Sequence, residues 1–163
     1  MMSDPWVFMP WLPGVDETVE LDDDEARHLT GAKRRRAGDA VVCFDGAGCT
    51  APGELVDVPR RGPILVRATG PEEEHPRPAR VVIATALPKQ DRASTMLSML
   101  GQLGVSAVRP LACERSVAAA SSHFEDRAIR IFVEACKQSR HPYLPELLPE
   151  LTPVACAAEA TAA

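Results

Sequence analysis

Four consecutive cations stand inside an otherwise acidic stretch of the sequence. Residues 1–76 carry 8 Lys and Arg against 15 Asp and Glu, a net charge of −7. Adjacent like charges repel one another, and a bound partner of opposite charge offsets that cost. Nucleic-acid phosphates are such partners. Salt limits the interaction between charges to about 10 Å, so a local cluster of cations can bind phosphates even when the whole chain is acidic. We therefore predict phosphate binding by this basic block, with a solvated turn as the alternative. Its members are Lys33, Arg34, Arg35 and Arg36.

Three further polar groups flank the strands that we predict for the second half of the chain. Residues 89–92 and 114–116 each follow a predicted strand, and residues 138–140 lead into a third. In open parallel sheets, ligands bind beyond the carboxyl ends of the strands. Each group carries a cation, so we expect the groups to converge on one edge and bind an anion such as an RNA phosphate. For any single group, a solvated loop is the alternative. The cations are Lys89, Arg92, Arg115 and Arg140.

The remaining candidate groups indicate structure rather than chemistry. The five cysteines form no Cys-x-x-Cys pair and no histidine cluster accompanies them, which argues against a zinc site or a disulfide framework. We expect small buried side chains in a reducing cytoplasm. No nucleotide-binding glycine loop and no hydrolase or metalloprotease motif is present. The residues alone therefore identify no catalytic group and no metal site.

Length and composition indicate a soluble globular protein of one domain or two small ones. The chain has 163 residues, of which 25% are charged and 45% hydrophobic, but only 4% are aromatic. No apolar run reaches the roughly 18 residues that a membrane span needs. Three prolines, Pro5, Pro10 and Pro13, interrupt the apolar N-terminus, which carries no positive cluster. We predict a cytoplasmic protein without a signal peptide or a membrane partner.

Short strands and turns characterise the first half. The acidic run Asp22 to Glu25 is typical of the first turn of a helix, and Asp45-Gly46 is typical of a tight hairpin turn. Several short strands at close spacing predict a small barrel or sandwich. We expect the strands near residues 6–9, 18–21, 40–44, 53–58 and 64–68, and the helix over residues 22–29.

The second half follows a different pattern. A Pro- and Glu-rich segment over residues 70–79 predicts a linker, and we place the two domains at residues 1–72 and 77–163. Alternating strands and helices after it predict a parallel α/β sheet. The first helix ends at Gly104 and carries an apolar stripe of Met96, Met99, Leu100 and Leu103. We expect strands over residues 80–86, 107–111 and 146–148, and helices over residues 91–103, 124–139 and 154–162. Two or three parallel strands would leave one edge unpaired and one face partly covered.

Motifs in both halves resemble the RsmE family, the small-subunit rRNA (uracil-N3)-methyltransferases of the SPOUT superfamily. They occur in the family's order over nearly the whole chain, and although each is weak alone, their combination is specific. The motifs are His28-Leu29 with the basic block and Gly38-Asp39; residues 44–48 (FDGAG); residues 86–92 (ALPKQDR); Leu103-Gly104-Val105 before Arg109-Pro110; Glu114-Arg115-Ser116; and residues 134–140 (EACKQSR) through Leu144-Pro145.

The resemblance implies a chain in two parts, an α+β part and an α/β part. The first would be a PUA-like β-barrel that grips rRNA, and the second a SPOUT-type parallel-sheet domain with an α/β knot. It also implies S-adenosylmethionine (AdoMet) as cofactor, ribosomal RNA or the small ribosomal subunit as partner, and a homodimer. The reaction would be methyl transfer to N3 of a uridine in 16S rRNA, which needs an in-line methyl donor and a positioned base.

This sequence also departs from the family pattern. Met99 and Gln102 stand where the family usually has Lys and Glu. The family's Gly-Pro-Glu-Gly-Gly loop and its later Leu-Gly…Leu-Arg…Glu-Thr segment form the knot and most of the AdoMet pocket, and neither occurs in these 163 residues. We therefore expect an incomplete knot domain, no assignable cofactor-binding residues and no AdoMet binding by this chain alone.

Three hypotheses fit these departures. The chain is a truncated methyltransferase, a degenerate noncatalytic RNA-binding relative, or a half-domain that completes its sheet with a partner chain. The substitutions at Met99 and Gln102 favour the second hypothesis over the first, because truncation alone leaves upstream residues unchanged.

Overall fold

The computed structural model of the chain divides into two compact units, Met1–Arg77 and Pro78–Ala163. The structure describes residues 4–33, 35–59, 62–89, 91–114 and 122–162. Each unit has a hydrophobic core of its own. Leu55 belongs to the core of the first unit, and Leu97 and Phe132 belong to the core of the second.

The first unit is one sheet with one helix. Its elements are β1 (Trp6–Phe8), β2 (Thr18–Glu20), α1 (Asp23–Lys33), β3 (Ala40–Phe44), β4 (Cys49–Asp57), β5 (Leu65–Ala68) and β6 (Glu73–Glu74). The strand order is β1-β3-β4-β5-β2, with β6 beside β4, and of these pairs only β1 with β3 is parallel. The predicted strands and helix of this half are confirmed, and the helix extends to Lys33. β1 and β2 stand at the two ends of the order, and no pairing between them is present among the described residues.

The acidic run at the start of α1 has two separate roles. Asp22 is the N-cap, and its Oδ1 accepts hydrogen bonds from the backbone N–H groups of Asp24 at 2.9 Å and Glu25 at 2.8 Å. These are donors that the first turn of a helix leaves unpaired. Glu25 is only 4% exposed, and its Oε2 accepts the backbone N–H of Phe8 at 3.2 Å. One acid therefore caps the helix while another ties it to β1.

A single carboxylate holds the turn between β3 and β4. Asp45 Oδ1 accepts hydrogen bonds from the backbone N–H groups of Ala47, Gly48 and Cys49 at 2.7, 3.0 and 2.9 Å. Gly46 and Gly48 have φ values of 75° and 117°, which residues with a side chain rarely adopt. The predicted hairpin turn at this position is confirmed.

Part of the predicted linker belongs to the first sheet. Glu73 and Glu74 form β6 and pair with Thr50 and Cys49 of β4. His75 continues the contact, since its Nε2 lies 2.8 Å from Thr50 Oγ1. The linker prediction is wrong for these residues, because backbone pairing holds them in place and consecutive glutamates show no alternation of apolar and polar side chains.

The second unit combines three short strands with three helices in its described residues. Its elements are β7 (Val82–Thr85), α2 (Asp91–Gln102), β8 (Ala107–Pro110), α3 (Ser122–Ser139), β9 (Glu146–Leu147) and α4 (Pro153–Ala162). The strands follow the order β7-β8-β9, and both pairs are parallel. The predicted parallel α/β arrangement and each of its predicted elements are confirmed.

Helices α2 and α3 approach closely at one glycine. A Cβ atom on Gly101 would lie 2.7 Å from the Cβ of Ala135, so a larger residue would force the helices apart. A Schellman motif ends α2: the backbone N–H of Val105 donates to the Leu100 carbonyl oxygen at 3.3 Å, and that of Gly104 donates to the Gly101 carbonyl oxygen at 3.1 Å. Gly104 has a φ of 71°, so the predicted helix end at this residue is confirmed.

The buried face of α2 differs from the predicted apolar stripe. Leu97 is 1% exposed, whereas Met99 and Leu103 are 59% and 77% exposed. Of the stripe, Met96 and Leu100 pack against the core. The stripe prediction is therefore wrong for its two exposed members, because the close approach of α2 to α3 sets which side of the helix is buried.

The sheet of the second unit is open at β7. Val82 on this edge strand is 41% exposed. On β8, the Arg109 side chain is 12% exposed, and its Nη2 lies 3.2 Å from Glu159 Oε1 of α4. Side chains alternate across a strand, so this contact lies on the face opposite Val108, which belongs to the core with α2 and α3. The order β7-β8-β9 also leaves β9 at an edge without a further strand among the described residues, so the unpaired last strand that we predicted is present.

Candidate nucleic-acid interface

Asp39 organises the turn that follows α1 and the basic block. Its Oδ2 accepts the backbone N–H of Arg36 at 3.0 Å, and its own backbone N–H donates to the Arg36 carbonyl oxygen at 3.1 Å. The backbone N–H of Gly38 donates to the Leu55 carbonyl oxygen of β4 at 2.7 Å. These bonds anchor the end of the block to the sheet, and Arg36 remains exposed to solvent.

Arg35 is much less accessible than its neighbour. Its side chain is 14% exposed, and its Nη1 lies 3.9 Å from Asp39 Oδ2, which is beyond hydrogen-bond distance. Its Nη2 is buried and has no hydrogen-bond partner among the described residues. Leaving a buried donor unpaired costs about 1–3 kcal/mol, and more when the group is charged. Of these two predicted phosphate ligands, Arg36 is the one that solvent and a phosphate can reach.

We expect the substitution Arg35→Met to raise the free energy of unfolding by about 1 kcal/mol. An apolar chain of similar length keeps the packing of the arginine stem and removes the unpaired buried donor. Urea unfolding measures the change. Arg36→Met is the matched control, and because Arg36 is exposed we expect it to alter stability by less than about 0.5 kcal/mol. If R35M were clearly less stable than R36M, the pairing of Arg35 with Asp39 would have to stabilise the turn.

The other predicted phosphate ligands fall in different places. Lys33 is the last residue of α1. Arg34 and Arg115 lie outside the described residues. Lys89 and Arg92 are exposed at the start of α2, where the backbone N–H of Arg92 donates to the Lys89 carbonyl oxygen at 3.2 Å.

Arg140 lies at the opposite edge of the second unit from Lys89 and Arg92. It follows α3, whose C-terminal end lies beside that of α2, since Gln102 Nε2 donates to Gln138 Oε1 at 3.3 Å. These helix ends precede β8 and β9, so they lie at the amino edge of the sheet. Lys89 and Arg92 follow β7 and lie at the carboxyl edge. The expected convergence of the three polar groups on one edge is wrong, because a group that leads into a strand lies at its amino end.

A groove of about 170 Å³ lies between the N-terminal halves of α2 and α3, on the carboxyl side of β7. Its polar side chains are Ser94 and Arg127, and Arg127 Nη2 donates to Ser94 Oγ at 2.6 Å. Sequence reasoning did not select Arg127, because its i, i+3 spacing with Arg130 is typical of a solvated helix face. Only the contact between Arg127 and Ser94 of α2 shows that Arg127 lines the groove. The apolar walls of the groove are Leu87, Pro88, Ala93, Leu97, Phe124 and Ile131.

All five cysteines are free thiols, and two of them are fully buried. Burial raises the pKa of Cys43 to about 11 and the pKa of Cys136 to about 12, from an ordinary value of 9.0. Their contribution to stability is therefore fully present below pH 9.0 and is lost as the pH rises through these values. Cys136 Sγ also donates to the Tyr143 carbonyl oxygen at 3.4 Å. Both side chains are 0% exposed, so the two thiols lie in the interior rather than in a reactive site.

We expect iodoacetamide to leave Cys43 and Cys136 unmodified in the native protein at about pH 8, because the thiolate is the reactive form and these thiols stay protonated. The partly exposed Cys113 and Cys156 should react first. Peptide mass spectrometry after timed quenching measures the order, and the unfolded protein is the control in which all thiols react. Early modification of Cys43 or Cys136 in the native protein would contradict their assignment to the cores.

The described residues place two limits on the interface. None of the helices α1 to α4, as far as they are described, is both long enough and apolar enough to cross a membrane. Within the same residues, no three His, Cys, Asp or Glu side chains are grouped so that they could hold a metal ion.

Two protein-family models match the chain. One is described as an RNA methyltransferase domain and matches residues 75–162, and the other is described as an RNA methyltransferase PUA domain and matches residues 21–66. The ribosomal RNA small subunit methyltransferase E of Synechocystis is 30% identical over 138 residues, and that of Bacillus subtilis is 26% identical over 135 residues. These matches cover 85% and 80% of this chain, but 45% and 53% of the two relatives. The chain thus spans about half the length of the curated relatives it matches.

Solved structures match the chain over nearly its full length. A methyltransferase from Legionella pneumophila, solved with its bound cofactor SAM, has a TM-score of 0.83 at 20% identity, over 93% of this chain and 64% of its own. A ribosomal RNA small subunit methyltransferase E from Neisseria gonorrhoeae, bound to S-adenosyl methionine, has a TM-score of 0.81 at 26% identity, over 92% and 62%. The first likeness shows the fold alone. In both cases more than a third of the solved chain lies outside the match.

Proposed function

The chain belongs to the RsmE family of RNA methyltransferases, and on that premise we propose that it binds ribosomal RNA of the small subunit. One observation carries this proposal: the basic block lies inside the region that the PUA model matches, and it ends in a turn that Asp39 anchors to the sheet. The backbone of Arg36 is held by the turn, so its exposed side chain is what loses conformational freedom when it binds a phosphate. Phosphate contacts of this kind position an RNA without reading its bases.

The reaction that we propose for the whole protein is methyl transfer from AdoMet to N3 of a uridine in 16S rRNA. The names of the curated relatives support the rRNA substrate, and the two solved neighbours with a bound cofactor support AdoMet. AdoMet would supply the methyl group when bound. The same proposal includes a SPOUT-type sheet that begins with β7, β8 and β9. It also includes a homodimer and a cytoplasmic location, where ribosomes are assembled.

The residues described in this chain do not fit AdoMet. Pockets for ligands of that size measure about 300–1,000 Å³, whereas the groove at the carboxyl edge measures about 170 Å³. Its polar side chains, Ser94 and Arg127, already bond each other, and its lining includes no carboxylate. AdoMet carries a sulfonium, an ammonium and a carboxylate group, and the groove lining holds no anion that would pair with the two cations. The groove formed by these described residues therefore does not fit the cofactor.

A noncatalytic RNA-binding relative is the second candidate function, and two positions in α2 favour it. Where the family usually has Lys, Met99 is 59% exposed and carries no charge. Where the family usually has Glu, Gln102 bonds Gln138. The open edge at β7 favours the related alternative of a half-domain whose sheet is completed by a partner chain, because exposed strand edges readily pair with another chain.

The proposed RNA binding is tested by fluorescence anisotropy with a labelled 16S rRNA fragment. A DNA duplex of the same length is the control, because it offers phosphates but no 2′-hydroxyl groups and no splayed single strands. We expect saturable binding of the rRNA fragment, with the DNA competing several-fold more weakly. Absence of binding at low salt, or equal binding of the DNA, would refute the proposal.

A further inference from the structure

The free edge of β7 carries no charge and leaves backbone groups unpaired. The carbonyl oxygen of Thr85 faces β8, since it accepts the backbone N–H of Leu111 at 2.9 Å. Alternate residues of a strand direct their backbone groups to opposite sides, so those of Val82 and Ala84 face away from β8. No strand pairs with β7 on that side among the described residues. Edge strands are commonly protected by a charge or a proline, and residues 81–86 (VVIATA) contain neither.

The side of α2 that α3 leaves uncovered is apolar. Gly101 and Gln102 face α3, through the close approach to Ala135 and the bond to Gln138. At about 100° per residue, Met96 and Leu103 lie on the opposite side of α2, and Met99 lies next to them. Met99 and Leu103 are 59% and 77% exposed. These two residues are the part of the predicted apolar stripe that the fold of a single chain leaves in solvent.

This apolar side of α2 faces the same way as the free edge of β7. Helix α2 connects β7 to β8 and α3 connects β8 to β9, and both pack on the core that contains Val108. Because α3 contacts β9, it lies over the far side of the sheet, and α2 lies over the side of β7. An unpaired strand edge and an uncovered helix stripe therefore form one continuous surface.

We propose that a second copy of this chain docks on this surface, with its β7 antiparallel to β7 and its α2 against α2. A two-fold axis at Ile83 places Val82 of one copy opposite Ala84 of the other. Each such pair exchanges two N–H···O=C bonds, so every free backbone group of these residues gains a partner. The inference deepens the homodimer proposed above, on which it rests, by naming its interface.

The spacing of the elements supports a second copy as the occupant. Paired strands lie about 4.8 Å apart, so helices centred between β7 and β8 in the two copies would lie about 10 Å apart, which is the distance at which helices pack. Met99 and Leu103 would then be covered by the same residues of the other helix. An unrelated strand would satisfy the edge but leave the stripe in solvent. The nearest cation, Arg80, lies 3.6 Å from Glu146, so its charge is offset next to the seam.

Sedimentation velocity and amide hydrogen exchange of the intact chain, at about 1 μM to 1 mM, test the interface. We expect a monomer–dimer equilibrium with a Kd on the order of 10 μM, because one short strand and one helix make a small contact. The amides of Val82 and Ala84 should become protected from exchange only at high concentration. The amide of Ile83, which faces β8, is the internal control and should be equally protected throughout.

Two exposed positions provide matched variants. Leu103→Glu should raise the dimer Kd at least about 30-fold, because it places an unpaired carboxylate in the apolar seam. Ile129→Glu adds the same charge at a residue that is 51% exposed on α3, which α2 separates from the free edge, and it should leave the Kd unchanged.

A chain that stays monomeric at 1 mM would overturn the interface, and so would equal dimerisation of L103E and I129E. A dimer in which Val82 and Ala84 exchange as fast as in the monomer would keep the homodimer but place its contact elsewhere, which also overturns this interface. Binding of the 16S rRNA fragment is measured on the same samples. A monomer that binds the fragment would leave the proposed RNA binding in place, whereas a dimer that does not bind it would refute the RNA binding and keep the interface.

Discussion

Isothermal titration calorimetry of the 163-residue chain with AdoMet is expected to show no binding tighter than a Kd of about 1 mM. The groove at the carboxyl edge offers about 170 Å³, roughly half of the lower limit for a ligand of this size. The groove lining also holds no carboxylate that would pair with the sulfonium and ammonium groups of AdoMet. The two solved neighbours that contain the cofactor have longer chains. The match to the present chain covers 64% of one and 62% of the other.

S-adenosylhomocysteine is the control ligand for this experiment, because it lacks the methyl group and the sulfonium charge. If the sulfonium charge alone excluded AdoMet, S-adenosylhomocysteine would bind. If the groove is too small, neither ligand binds. We expect neither ligand to give heat above dilution. Micromolar binding of either one would show that the chain forms a cofactor pocket, and the noncatalytic alternative would then lose its main support.

Replacing the basic block with alanine is expected to weaken binding of a 16S rRNA fragment on the order of 100-fold at about 0.1 M salt, if three of its cations each hold one phosphate. The three are Lys33, Arg34 and Arg36. The slope of log K against log salt should flatten by about 2–3, since each lost phosphate contact removes about 0.7–0.9. Arg35 adds little to this expectation, because its side chain is 14% exposed and one of its terminal nitrogens is buried. Fluorescence anisotropy over a series of salt concentrations measures both quantities.

Two single variants sharpen that result. Arg36→Ala should account for about one of the lost contacts, with a slope change of about 0.7–0.9. Arg27→Ala on α1, the helix before the block, is the matched control: the Arg27 side chain is 75% exposed, but its Nη2 lies 2.6 Å from Asp24 Oδ1, and we expect the substitution to leave the slope unchanged. If the quadruple alanine variant had an unaltered slope of log K against log salt, the basic block would not be the RNA contact.

The order and type of the elements could be predicted from the sequence because their signals are local. Gly104 marks the end of α2 by its left-handed backbone, and Asp45 with Gly46 specifies the hairpin through bonds within four residues. β6 could not be predicted, since its glutamates are held by backbone pairing with a strand some twenty residues earlier. Signals that act within a few residues can be predicted from a sequence, whereas backbone pairing between distant segments cannot.

The interface was harder to predict than the fold, for the same reason. Lys33 to Arg36 form one block in the sequence, yet helix end and turn give Arg35 and Arg36 opposite accessibility. Arg140 resembled the other loop cations, but its position before β9 places it at the amino edge. Arg127 had no distinguishing spacing, and it becomes part of a site only because α2 lies beside α3.

We propose that this chain holds RNA and that its described residues form no pocket for AdoMet. One titration tests both parts: a labelled 16S rRNA fragment with the intact chain, in the absence and in the presence of excess AdoMet. A cofactor that binds the same protein as the RNA shifts the RNA affinity whenever the two are coupled, and the coupling is reciprocal. We predict saturable RNA binding with the same Kd in both arms. Failure to bind RNA, or a Kd that changes when AdoMet is added, would contradict the claim.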